Sequence, residues 1–154
     1  MDADSKRPLE IELPFHAKTY DIDFGGVVSN IVYVRWLEDL RFRIMEVYCP
    51  LEHQLSIGVG PVLLNTQIEY RKSLKLGERP IGKMWVENMT KYKWTVKAQF
   101  IIDDKITAKS EQIGMFVKLP AGSPIKIPDK LYQEYLRSTE IQSNLPEDFK
   151  VISQ

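Results

Sequence analysis

The sequence predicts an α+β domain in which one long helix packs against a curved antiparallel sheet. Two observations carry this. Across residues 30–48, Tyr33, Leu37, Leu40, Ile44 and Val47 recur at steps of three and four, and Val32, Trp36 and Met45 widen the stripe, which is the periodicity of a helix with one buried face. Downstream, segments 62–71, 81–88, 92–102 and 106–119 are rich in branched and aromatic residues, the composition of strands. A single helix followed by antiparallel strands buries its stripe most simply when the sheet wraps around it.

The elements follow in order. A short strand is expected at 15–20, then a turn holding Asp21, Asp23, Gly25 and Gly26. The helix at 30–48 should end at Cys49-Pro50, because proline lacks the N–H that a helix needs and restrains the residue before it. Within 92–102, Trp94, Val96, Ala98 and Phe100 alternate with Thr95, Lys97 and Gln99, one buried face and one wetter face. Asp103-Asp104-Lys105 reverses the chain before the last strand. Residues 120–128 read as a loop and 129–137 as a short terminal helix, with a mobile tail after Ser138.

Length and composition set the class. At 154 residues the chain is one domain, spanning 1–154, with a core at 14–129 and the helix and tail at 130–154. Its 21 basic and 21 acidic residues balance, which argues against a nucleic-acid surface. No apolar run approaches the roughly 18 residues of a membrane span. The first residues lack the basic-then-apolar order of a secretory leader, and the single cysteine, Cys49, can form no internal disulfide, so a reducing cytoplasm is expected. His16 and His53 are too isolated to suggest a metal cluster, and no cofactor is expected.

The stretch YDIDFGGVVSNIVYVRWLEDLR, residues 20–41, combines two carboxylates and a Gly-Gly turn with a helix start. Ser29 or Asn30 can cap the helix. A helix N-terminus offers unpaired N–H donors and the positive end of a dipole, which stabilise developing negative charge. A carboxylate beside it can activate water or attack a carbonyl.

In order, Asp21, Asp23, Gly26, Val27, Val28, Tyr33, Trp36, Glu38 and Arg41 resemble the signature of the hot-dog-fold acyl-CoA thioesterases of the 4-hydroxybenzoyl-CoA thioesterase type. The similarity continues through Leu76-Gly77-Glu78 and covers residues 14–129. The resemblance implies a hot-dog fold, hydrolysis of an acyl-CoA thioester, and a homodimer that joins its sheets and shares its sites, or a tetramer built from such dimers. Asp23 falls at the position of the catalytic carboxylate, a nucleophile or general base, and the N–H near Asn30 at the oxyanion site. Asn30 stands where relatives carry a histidine, an asparagine or an aromatic residue, and the histidine version of the motif is absent.

Each residue has a plainer role beside this one. Asp23 before glycine also suits an Asx turn, Asn30 a helix cap, and Tyr33 the core. Gly26 and Val27 would shape the approach to the site and Tyr33 the acyl pocket, while Asp21 supports the loop. Lys91 and Lys93, in the turn Thr90-Lys91-Tyr92-Lys93, would by the resemblance meet coenzyme A phosphates, or would simply face solvent. Glu38 and Arg41 have the spacing of an intrahelical ion pair. An acyl carrier protein thioesterase and a non-catalytic acyl-thioester binding protein are the alternatives. A dehydratase would need a histidine facing an acid within the motif, and the chain has none there.

Overall fold

The computed structural model describes residues 7–143. The predicted helix forms as α1, Asn30–Tyr48, and its stripe is buried from Val32 to Ile44, with Leu37 and Leu40 fully enclosed. Val47, expected on the stripe, is exposed. Val47 lies on the outer side of the last turn, while Met45 and Tyr48 in that turn still pack against the core. Burial of each large apolar side chain stabilises by about 1.5–3 kcal/mol, so this face holds the helix in place.

The sheet is antiparallel, in the order β1, β3, β4, β5, β2, with a short β6 also on β5. Its strands are β1 (Ile11–Pro14), β2 (Val59–Tyr70), β3 (Ile81–Met89), β4 (Lys93–Ile102), β5 (Lys105–Lys118) and β6 (Ser123–Ile125). Register places whole rows of side chains under the helix. Val86, Val96, Gln112 and Thr66 form one row; Met84, Ala98, Ser110 and Ile68 form the next. Phe100 anchors the aromatic centre, with ring centroids 5.8 Å from Phe15, 5.3 Å from Tyr33 and 5.8 Å from Trp36. This is the curved sheet around a central helix that the hot-dog fold requires.

Several boundaries differ from expectation. The first strand lies before residue 15, not at 15–20. Phe15 and Ala17 still donate to the carbonyls of Pro80 and Glu78, but Pro80 has no N–H to return, and Thr19–Asp21 tightens into a 3-10 turn. Pro50 ends α1 as predicted yet starts a second helix, α2 (Leu51–Ile57), because proline's missing N–H is harmless at a helix start. Strand β2 begins at Val59, before Val62. The 120–128 loop contains β6, which pairs with Phe116–Lys118 on the side where β4 has not yet begun. The terminal helix, α3, runs Asp129–Ser143, past both Arg137 and the point where a mobile tail was expected; the rest of that tail lies outside the described residues.

Candidate active site

The carboxylate turn is closed by its own backbone. Ile22 and Val28 form an isolated bridge, Asp23 donates its N–H to Val27 at 2.9 Å, and Ser29 donates to the Asp21 carbonyl at 2.9 Å. Gly26 takes a φ of 80°, a left-handed conformation that glycine adopts without strain. Val28 donates to the Leu74 carbonyl, which fastens the turn to the connection between β2 and β3.

The two aspartates differ in kind. Asp21 is buried, and its Oδ2 accepts the Lys18 N–H at 2.9 Å. Asp23 is exposed, and its Oδ1 accepts the N–H of Gly25 at 2.8 Å and of Val27 at 3.4 Å. That is an Asx turn. Its Oδ2 has no protein donor among the described residues and faces no competing bond.

Helix α1 starts immediately after the turn. Ser29 is the N-cap residue but its side chain makes no capping bond, and Asn30 begins the helix rather than capping it. The first amides of a helix have no intrahelical acceptor. Val32 donates back to Ser29, and the Asn30 carbonyl accepts the Tyr70 hydroxyl at 3.3 Å, leaving the N–H groups of Asn30 and Ile31 free of protein acceptors among the described residues. Exposed carboxylate and exposed amides thus sit at two ends of one short, closed turn.

Other predicted site residues lie elsewhere. Tyr33 is 3% exposed and packs edge-on against Trp36, Tyr70 and Phe100; in the single chain it is a core residue, and burial pushes its hydroxyl up to about 12. Gly26 and Val27 belong to the turn itself. Lys91 and Lys93 are exposed at the start of β4, where Lys93 pairs with Met115, whereas Tyr70 beside Asn30 pairs with Ala108. Seven strand residues at ~3.3 Å each separate the level of Lys93 from that of Tyr70 by about 23 Å along β5. Within one chain the two groups are not brought together.

Sequence reading missed a cleft of about 660 Å³ beside Asp21, lined by His16, Lys18, Arg35 and Arg79, with Asp39 on its wall. Arg35 and Arg79 form no ion pair among the described residues. These cations come from three separate segments, so no local pattern marked them. Burial and the neighbouring Glu38 raise the Asp39 carboxyl above its ordinary value, and Asp21 is the second acid on the cleft wall. No group of three or more His, Cys, Asp or Glu side chains among the described residues could hold a metal ion.

Residues 17–135, which include the turn, the helix and the whole sheet beyond β1, match the Thioesterase-like superfamily. The chain belongs to this superfamily. By class, this thioesterase-like protein is therefore a thioester hydrolase. A comparison with curated protein sequences finds no match. Among solved structures it is similar to a DHNA-CoA thioesterase from Staphylococcus aureus, at 16% identity and a TM-score of 0.76, covering 93% of this chain and 97% of the other. It is similar to a 1,4-dihydroxy-2-naphthoyl-CoA thioesterase from Synechocystis, at 12% identity and a TM-score of 0.74, covering 82% and 96%. It is also similar to a hypothetical protein from Staphylococcus aureus in complex with CoA, at 12% identity and a TM-score of 0.81, covering 97% of each chain. At these identities the solved structures establish the hot-dog fold of this thioesterase-like chain. Among its described residues no helix is long and apolar enough to cross a membrane.

Proposed function

We propose that the protein hydrolyses an acyl-CoA thioester to the free acid and coenzyme A, with Asp23 acting on the thioester carbonyl. The observation that carries this is the turn: an exposed carboxylate with an uncommitted Oδ2, closed onto a helix start whose first N–H groups are free. As general base, Asp23 takes a proton from water, the oxygen attacks the carbonyl carbon, and the oxyanion is held by the amides of Asn30 and Ile31. The tetrahedral intermediate then expels the thiolate, which takes the proton back from Asp23. As nucleophile, Asp23 would form an anhydride that water opens. Each oxyanion donor of this kind is worth about 3 kcal/mol in a formed site.

The cleft of His16, Lys18, Arg35 and Arg79 suits the phosphates of coenzyme A in the same chain. Lys91 and Lys93 would serve the phosphates of a thioester bound at a neighbouring copy's turn. We further propose a homodimer formed through β2, an edge strand whose Leu63 and Leu64 are exposed. A long, apolar, unpaired edge is a surface for another strand. Phe24 at the tip of the carboxylate turn and Ile31 on the first turn of α1 are also exposed, and a second copy would cover them. A tetramer would pair two such dimers.

One observation favours the rival reading of a non-catalytic acyl-thioester binder: Asp23 Oδ1 already has a structural use. The test is thiol release from short, medium, long and aromatic acyl-CoAs by the wild type and by Asp23→Asn. Turnover by the wild type that is lost in the variant supports catalysis. Tight binding without turnover supports the binder, and an active Asp23→Asn removes Asp23 from the chemistry. Hydrolysis confined to acyl carrier protein thioesters would move the assignment to that substrate class.

A further inference from the structure

Tyr70 closes β2 and reaches back to the start of α1. Its hydroxyl donates to the Asn30 carbonyl at 3.3 Å, across 40 positions of sequence, and among the described residues this is the hydroxyl's one protein acceptor. Its ring meets the buried Tyr33 edge-on, with centroids 5.3 Å apart and planes at 74°. The strand end behind it is fixed. Tyr70 pairs with Ala108, and the next two amides, of Arg71 and Lys72, both donate to the Thr107 carbonyl, at 2.8 and 3.0 Å. Further along the same connection, the Leu74 carbonyl accepts the Val28 N–H at 2.8 Å. One short segment therefore grips the candidate site twice, at Val28 and at Asn30, on either side of the N-cap residue Ser29.

The Asn30 carbonyl and the Ile31 N–H are the two ends of a single planar peptide unit. A hydrogen bond received at the carbonyl draws charge from the nitrogen and strengthens what the N–H can donate, by roughly 10–30% per bond. A carbonyl oxygen has two lone pairs, so the tyrosine bond adds to the one the helix supplies from four residues on. The other free amide is braced from within the helix: the Asn30 N–H shares its peptide with the Ser29 carbonyl, which accepts the Val32 N–H at 3.0 Å. Tyr70 extends this bracing to Ile31.

Packing does not call for the hydroxyl, since a phenylalanine would present the same ring edge to Tyr33. A 3.3 Å bond from a side chain that is 45% exposed adds little to stability, because water can take its place in the free protein. Burial raises the hydroxyl above its ordinary value, so it keeps its proton and remains a donor at neutral pH. We infer that Tyr70 is a positioning residue for thioester hydrolysis: its hydroxyl holds and polarises the peptide of Asn30 and Ile31, which makes the Ile31 N–H a fixed and stronger donor to the oxyanion. The inference rests on the thioesterase reading and adds a residue to its oxyanion site. A thioester lying over the helix start excludes the water that could replace the hydroxyl, so the bond matters to the reaction more than to the fold.

The test is Tyr70→Phe, which removes the hydroxyl and keeps the ring. Losing an oxyanion donor outright lowers kcat by about 10²–10³-fold; weakening one should lower it by roughly three- to tenfold, with KM within about twofold. The urea midpoint should be unchanged. In a nitrogen-15 NMR spectrum the Ile31 amide should shift while amides remote from the site stay in place. Tyr70→Leu, which also removes the ring, should lower the urea midpoint as well as kcat. A Tyr70→Phe kcat equal to that of the wild type, or an unmoved Ile31 amide, overturns the inference. So does a lowered urea midpoint with kcat intact, which would make the hydroxyl a structural tie, and so does a loss confined to KM, which would give it to substrate binding. A wild type that hydrolyses no acyl-CoA fails the thioesterase reading and the inference with it; an active wild type matched by an equally active Tyr70→Phe leaves that reading standing and removes only Tyr70.

Discussion

The Trp94 indole covers Gly114, its neighbour in the β4–β5 register, and a Cβ at Gly114 would collide with the indole's six-membered ring. Glycine in a strand interior is otherwise unfavourable, so its place here follows from the space the indole takes up. Gly114→Ala should destabilise the protein by about 1–3 kcal/mol, the usual effect of overpacking, read from the urea midpoint. In a Trp94→Leu background the same substitution should be markedly milder, because contacting sites are coupled. Equal effects in both backgrounds would show that Trp94 is not what Gly114 accommodates.

Asp23 has a structural oxygen and a free one, and two substitutions separate their roles. Asp23→Asn keeps an Oδ1 acceptor for the Gly25 N–H and should leave stability within about 0.5 kcal/mol. Asp23→Ala loses that acceptor and should cost about 1 kcal/mol. Both should lower kcat by about 10²–10⁴-fold, the usual contribution of a general base. Full activity in either variant would place the chemistry elsewhere.

Leu64 is 53% exposed in the middle of the β2 edge. Leu64→Lys should leave the far-UV circular dichroism unchanged and shift the sedimentation coefficient to that of a monomer. Activity should fall with the dimer if each site draws on two copies. A variant that sediments like the wild type would remove β2 from the interface.

Tyr33 predicts an alkaline loss of stability. Burial holds its hydroxyl at about 12 in the folded chain against an ordinary 10.0. The folded state keeps a proton that the unfolded state gives up, so stability is whole below pH 10 and falls as pH rises from 10 to 12. At 1.36 kcal/mol per pKa unit the fall from this group is about 3 kcal/mol. Burial also raises Tyr48, Tyr70 and Tyr135, which act in the same direction. Urea midpoints of wild type and Tyr33→Phe across this range should diverge, with the variant's decline shallower; parallel declines would contradict the burial of this hydroxyl.

The features legible in the sequence were those written in short-range periodicity. The α1 stripe and the alternation from Trp94 to Phe100 each repeat within a few residues, and both elements form where expected. Asp103 and Asp104 both take positive φ in the reversal they were assigned to. Short elements were missed, since α2 and β6 are too brief to establish a period and depend on what they pack against or pair with. The carboxylate turn was legible because all its parts lie within one stretch of chain. The cationic cleft was not, because its members are scattered between residues 16 and 79.

By itself, the sequence determined the central helix, the main strands and the Asp-x-Asp-x-x-Gly turn at the helix start, since local sterics and the periodicity of apolar residues act over a few positions. The tertiary structure alone decided that Asp21 is buried while Asp23 is exposed, and that Arg41 turns away from Glu38 toward Gln112, 71 residues along the chain. Spacing on a helix states which side chains can meet. Which of them do meet depends on the sheet that closes over one face, removes water from it, and offers the guanidinium the Gln112 amide oxygen.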